Sequence, residues 1–251
     1  MVLLLFVDLD PDLAALRPLG GFFVLRTTGA PRRPLPTLAE AYAETAPDMY
    51  RNPLTLRIHM VADALHAPEP RIAASVAQQG LAARLWSAAL GCAVLYGRIP
   101  DLDPRLLCWD PDGSAPDDLW LTRLRPLPGD AATLADTVLH AHLEPLTAAL
   151  HTRHRVATGL LWGNAASALA GAARQLDLWA RADGRPEVAA RTRTLTTALL
   201  GHPLLADTGT LTGTAFRRRS CCLYYRLPGG GVCGDCCFTR PPRSSPGAAS
   251  G

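Results

Sequence analysis

The stretch TGLLWGNAASALAGAARQLDLWAR, residues 158–181, decides the fold. Leu161, Ala165, Ala168, Ala172, Leu176 and Trp179 recur every three or four residues, the spacing that lines up one face of an α-helix. Gly163 and Gly171 interrupt the pattern, and each costs about 1 kcal/mol relative to alanine inside a helix. They are expected where another helix or a ligand comes close. On the C-terminal side, Pro186 opens a last helix to about Leu200. On the N-terminal side, Ala131–Leu143 and Leu146–Arg153 read as one helix kinked at Pro145, with Leu139, Leu143, Leu146 and Leu150 as its apolar stripe.

Farther upstream a long helix is expected over Arg71–Tyr96, with Leu85, Ala88, Cys92 and Leu95 on one face and Gly97 and Pro100 ending it. Pro53 opens a shorter one that ends near His66–Pro70, and Thr37 with Glu40 forms a capping box ahead of Leu38–Thr45. Leu106–Leu127 breaks the helical rhythm. It holds Trp109, a turn at Asp110–Gly113 and then Leu119–Leu121, and reads as a small β-hairpin. Val2–Val7 and Phe22–Leu25 are strand-like, followed by a Pro/Gly-rich link at Ala30–Pro36. The fold class is therefore mainly α: a helical domain with a small β-hairpin and a C-terminal cysteine-rich loop. Residues 1–203 form the helical scaffold that would bind a substrate, 204–240 the cysteine-bearing segment, and 241–251 a Pro/Ser/Gly-rich tail expected to be disordered.

Composition narrows the function classes. The 251 residues are 48% hydrophobic and 19% charged, which describes a folded chain with a sizeable core. A net charge of +3 gives no argument for nucleic acid, and no helix-turn-helix or long basic helix is apparent. All 25 basic residues are arginine, a mark of coding bias and not of mechanism. No apolar run reaches the ~18–20 residues that cross a bilayer, and Met1–Leu9 makes a poor signal peptide. The simplest inference is a soluble cytoplasmic protein without a transmembrane segment, peripheral membrane association staying open. The abrupt apolar beginning also fits a truncated or misassigned start.

Five of the seven cysteines fall between Cys221 and Cys237, in SCCLYYRLPGGGVCGDCCF from Ser220. In a chain of this kind, clustered cysteines are metal ligands or redox groups more often than a disulfide framework. Cys221–Cys222 is followed by ten residues and then Cys233-x-x-Cys236. Four soft thiolates suit an iron–sulfur cluster. Pro228–Gly231 lets the chain double back and leaves backbone N–H groups free to face sulfur. Adjacent cysteines point in different directions and are awkward on one tetrahedral zinc, a demand that two irons relax. Structural zinc and a C-x-x-C disulfide switch remain the alternatives.

Cys-Cys-x10-Cys-x2-Cys near the C-terminus resembles the signature of the FhuF-type ferric-siderophore reductases. Ala82–Gly91, the Arg98–Trp109 segment and Leu160–Gly171 are similar to that family too, so the resemblance runs through most of residues 75–237. It implies that Cys221, Cys222, Cys233 and Cys236 hold a 2Fe–2S centre. The extra Cys237 departs from the pattern and reads as a bystander or fallback ligand. The resemblance also implies an oxidoreductase that passes one electron to Fe(III) in a siderophore, of hydroxamate type, releasing Fe(II) in the cytoplasm. No flavin or nicotinamide motif is present, so the donor is expected to be a separate ferredoxin or flavoprotein. An iron–sulfur sensor and a zinc-stabilised interaction protein are the competing readings.

Other residues carry weaker signals. Arg217–Arg219 precede the cysteines and either raise the potential of an anionic cluster or form a solvated face that meets an acidic donor. Trp162, Asn164 and Arg218 are candidate substrate-binding residues: a flat ring, an amide with donor and acceptor, and a cation. A packed helix interface is the plain alternative, as it is for Trp86. Cys92 and Cys108 read as small buried hydrophobes. His140, His142, His151 and His154 lack a third ligand for a second metal site and read as surface histidines.

Overall fold

A computed structural model of the chain describes residues 13, 15–27, 33–43 and 52–242. The run Val2–Val7, residues 30–32 of the link, residues 44–45 of the expected first helix and the tail from 243 lie outside the described residues.

The helices are α1 (Leu38–Tyr42), α2 (Pro53–Leu65), α3 (Pro70–Tyr96), α4 (Ala131–Leu134), α5 (Glu144–His154), α6 (Thr158–Ala182) and α7 (Pro186–Leu200). Helices α3 and α6 are the central pair, with α2 against α3 and α7 against α6. Both central helices are rich in alanine. Ala74, Ala82 and Ala89 on α3 and Ala165, Ala168 and Ala172 on α6 are buried, and small side chains let two helix backbones approach. Leucines fill the remaining space. Leu85, Leu90, Leu161, Leu169 and Leu176 are all buried, each stabilising the fold by about 1.5–3 kcal/mol.

The capping box forms: Thr37 N–H donates to Glu40 Oε2 at 2.6 Å, and Glu40 N–H to Thr37 Oγ1 at 3.2 Å. The hairpin is present as β2 (Leu107–Trp109) against β3 (Leu119–Leu121), with Leu107 opposite Leu121 and Trp109 opposite Leu119. Those four side chains face the core, while Cys108 and Trp120 between them are half-buried, the alternation a pleated strand imposes. Around it, β1 (Arg98–Pro100) pairs with β4 (Pro126–Pro128). A second hairpin, β5 (Gly209–Thr212) with β6 (Ala215–Arg218), leads into the cysteines.

Three expectations change. Phe22–Leu25 is not a strand: Gly21–Phe23 is a single 3₁₀ turn, and only Arg26 makes an isolated bridge, to Trp120. The reason is Arg84 on α3, which is buried against Asp118 at 2.9 Å and donates to the carbonyls of Gly21, Phe22 and Val24. Backbone acceptors used by one guanidinium are not free for a sheet. The kink ascribed to Pro145 is a π-helical stretch, Ala135–Leu143, before it. Glu144 N–H reaches back five residues to Leu139 O, which widens the helix just where the proline ring would crowd a carbonyl. Finally, His142 is not on the surface. It is fully buried, its Nε2 2.5 Å from Leu102 O and its Nδ1 2.9 Å from the Tyr42 hydroxyl.

Candidate metal centre and the cleft beside it

After β6 the chain crosses the face of the α3–α6 pair. Gly163 on α6 makes that crossing possible: a Cβ there would run into Ser220 Oγ and the Arg218 guanidinium. The expected close approach at this glycine is thus made by the cysteine segment itself. Leu223 adopts φ 68° and Tyr224–Arg226 form one 3₁₀ turn. Gly229 then reverses the chain at φ 70°, a conformation that costs a side chain dearly. Cys236 N–H closes a turn onto Cys233 O at 3.1 Å.

The sulfurs of Cys221, Cys222, Cys233 and Cys236 share one backbone pattern. Leu223 N–H donates to Cys221 Sγ at 3.3 Å and Phe238 N–H to Cys236 Sγ at 3.4 Å. Tyr224 and Asp235 offer their N–H groups in the same i+2 manner to Cys222 and Cys233. Each of the four sulfurs is therefore already solvated by a backbone donor, which favours the thiolate. The Cys222 and Cys233 thiols hydrogen-bond one another, which brings Cys222 down to about 7 and pushes Cys233 up. Burial pushes Cys221 and Cys237 up. Among the described residues, no group of three or more His, Cys, Asp or Glu converges as on a single ion.

Around the thiols, buried polar groups tie the segment to the helices. Ser75 Oγ donates to Cys222 O at 2.8 Å, and Asn164 Nδ2 to Ser75 O at 3.0 Å. Ser167 Oγ donates to Asp235 Oδ2 at 2.7 Å, and Arg174 pairs with Asp235 Oδ1 at 3.3 Å. The three arginines ahead of the cysteines separate sharply. Arg217 and Arg219 are exposed, bound to Cys237 O and to Asp207. Arg218 is 2% exposed and donates through Nη2 to Asn164 Oδ1 and Leu160 O. Its Nε and Nη1, and the Ser220 hydroxyl, are buried and find no acceptor among protein atoms. Its charge favours the thiolate forms of Cys221, Cys222, Cys233 and Cys237. Buried donors are almost always paired, and a cluster held by the cysteine segment would supply sulfur acceptors and negative charge at this place. The residues present fit such a group.

Residues 218–238 match the model of the FhuF 2Fe-2S C-terminal domain. The chain carries a FhuF-type 2Fe–2S motif. No curated protein matches the chain. The match starts at Arg218, the first residue of the segment with buried orphan donors, and ends at Phe238, whose N–H faces Cys236. The cofactor of a FhuF-type domain is a 2Fe–2S cluster.

Beside Cys233 the surface opens into two adjoining cavities of about 440 and 430 Å³, which share Phe22, Gln79, Ala83 and Cys233. Trp162, Asn164 and Arg218 line neither. Asn164 is fully buried and Arg218 nearly so, joined to one another through Arg218 Nη2, and Trp162 packs half-buried against the core. Gly171 does line the larger cavity, and a Cβ on it would meet nothing closer than Arg174 at 4.0 Å. Trp86 is a core residue. Sequence reasoning passed over Ser75, Ser167, Arg174 and Asp235. The signal was there for Ser167, a polar side chain one turn after Asn164 in an alanine-rich helix, and for Asp235 inside the Cys-x-x-Cys turn.

Among the described residues, no helix is long and apolar enough to cross a membrane.

Proposed function

We propose that this chain is a ferric-siderophore reductase in which Cys221, Cys222, Cys233 and Cys236 hold the 2Fe–2S cluster, as the FhuF-type match supports. When bound, the cluster supplies one electron at a time and is recharged by a separate donor protein, a ferredoxin or a flavoprotein. Oxygen ligands hold Fe(III) tightly and Fe(II) far more weakly, so one electron suffices to release the metal. That chemistry asks no side chain to make or break a bond. The protein's own residues provide the rest: backbone N–H groups that steady the thiolates, a buried cation at Arg218, and an open cleft at the sulfur edge.

The observation that carries this reading is the Arg218 guanidinium, buried where its charge reaches Cys221, Cys222 and Cys233, with two donors unspent. Four thiolates and two sulfides on two irons would give those donors sulfur acceptors, and reduction would add one more negative charge for the cation to meet. A cation in that place stabilises the reduced, more negative cluster and raises its potential. The charged residues on the cleft lining are Arg174 and Asp235, paired with one another. Such a lining favours an uncharged chelate, which three singly charged hydroxamates around Fe(III) make, over a highly anionic one.

The test is anaerobic purification followed by iron and sulfide analysis and stopped-flow mixing with ferric chelates. The expected result is a red-brown protein with two irons and two sulfides per chain that bleaches with dithionite. Its reoxidation is then faster with ferric hydroxamates than with ferric catecholates. Colourless protein with one zinc, or reoxidation indifferent to the chelate, rejects the proposal.

A further inference from the structure

Two cavities meet at Cys233, and their walls have a common character. Phe22 and Tyr224 stand at the mouth with 44% and 41% of their surface exposed. Gln79 and Gln175 offer amides, while the Ser167 hydroxyl on the same lining is already given to Asp235. Gly20, Gly80 and Gly234 line the space, and a Cβ added to any of them would meet nothing within 4 Å. The floor belongs to the cysteine segment: Cys222 on one side, Cys233, Gly234 and Asp235 on the other. The wall opposite is fixed, because buried Arg84 binds the Gly21, Phe22 and Val24 carbonyls.

We infer that this cleft, between the Gly20–Phe23 turn, the Gln79–Ala83 stretch of α3 and the Cys233–Asp235 turn, seats the ferric chelate, with Cys222 and Cys233 as the edge facing it. The inference rests on the reductase reading. The reasons are size, chemistry and position. Each cavity lies in the range that holds small ligands. Exposed rings and amides suit a polar, uncharged organic chelate. Open space above glycine backbone lets a bulky ligand come close to the sulfur edge. One electron leaves the protein's centre and one is gained by the chelated Fe(III), which becomes Fe(II). No bond forms, no proton is needed at this step, and the donor protein restores the electron. The side chains of the cleft act by position alone.

The redox-inert gallium(III) complex of desferrioxamine B reports binding without turnover. Titrated calorimetrically into holoprotein, it should bind the wild type, and Gly80→Trp and Ala83→Trp should each weaken it by on the order of tenfold or more. Phe22→Ala, which removes bulk and cannot clash, should weaken it as well. Reoxidation by the matching ferric complex should slow in parallel, while reoxidation by ferricyanide and the visible spectrum of the cluster stay as in the wild type. Wild-type reduction with unchanged binding and rates in all three variants would overturn the cleft and leave the reductase standing. A wild type that neither binds the gallium chelate nor reduces the ferric one removes both.

Discussion

Arg218 donates an N–H to the Asn164 side-chain carbonyl, and both residues are buried at the seam between α6 and the cysteine segment. Asn164 in turn donates to Ser75, which donates to Cys222 O. One chain of hydrogen bonds thus runs from a buried cation, through both central helices, to the backbone of a proposed ligand.

The cation should set the potential. Arg218→Leu is expected to lower the cluster's reduction potential by on the order of 50–100 mV, about 1–2 kcal/mol for one electron. Arg218→Lys should recover part of it. EPR-monitored redox titration of both variants checks this; an unmoved midpoint in the leucine variant counts against the cation.

Asn164 should matter to stability more than to substrate. Asn164→Leu takes one acceptor from the buried Arg218 guanidinium and removes the donor to Ser75, at a cost of about 1–3 kcal/mol. Urea unfolding measures it. Gallium-chelate affinity in the folded fraction should not change.

Cys233→Ser is expected to lose most of the iron and sulfide, whereas Cys237→Ser keeps both. Metal and sulfide analysis separates the cases, and equal loss would place Cys237 among the ligands.

Gly163→Val should act through Ser220. The added methyls fall where Ser220 and Arg218 pass α6, an overpacking of about 1–3 kcal/mol. Limited proteolysis should then cut within 219–240 sooner than in the wild type.

Acid should destabilise the fold through His142. Burial lowers its pKa from the usual 6.5 to about 4. Between those values the unfolded chain binds a proton that the folded chain refuses. The stabilisation is complete above 6.5 and fades as pH falls through about 4, about 3 kcal/mol in all. Urea midpoints across that window should show the loss, and His142→Gln should flatten it.

Period and punctuation made much of this protein legible as a sequence. The helix over 158–181, the last helix opened by Pro186 and the hairpin around Asp110–Gly113 follow from spacing and turn chemistry, which act locally and need no partner. The cysteine spacing pointed to an iron–sulfur cluster with zinc left as an alternative, and the resemblance it carries implied two irons. Tertiary packing decided the rest. Phe22–Leu25 has the composition of a strand, yet one arginine from α3 takes its carbonyls. Arg217, Arg218 and Arg219 are alike as letters, and the alternation of β6 together with the path of the chain over Gly163 buries the middle one. The cleft joins residue 22 to residues 79–83 and 233, and no local rule relates positions so far apart, because side chains from distant segments meet only when the core brings them together.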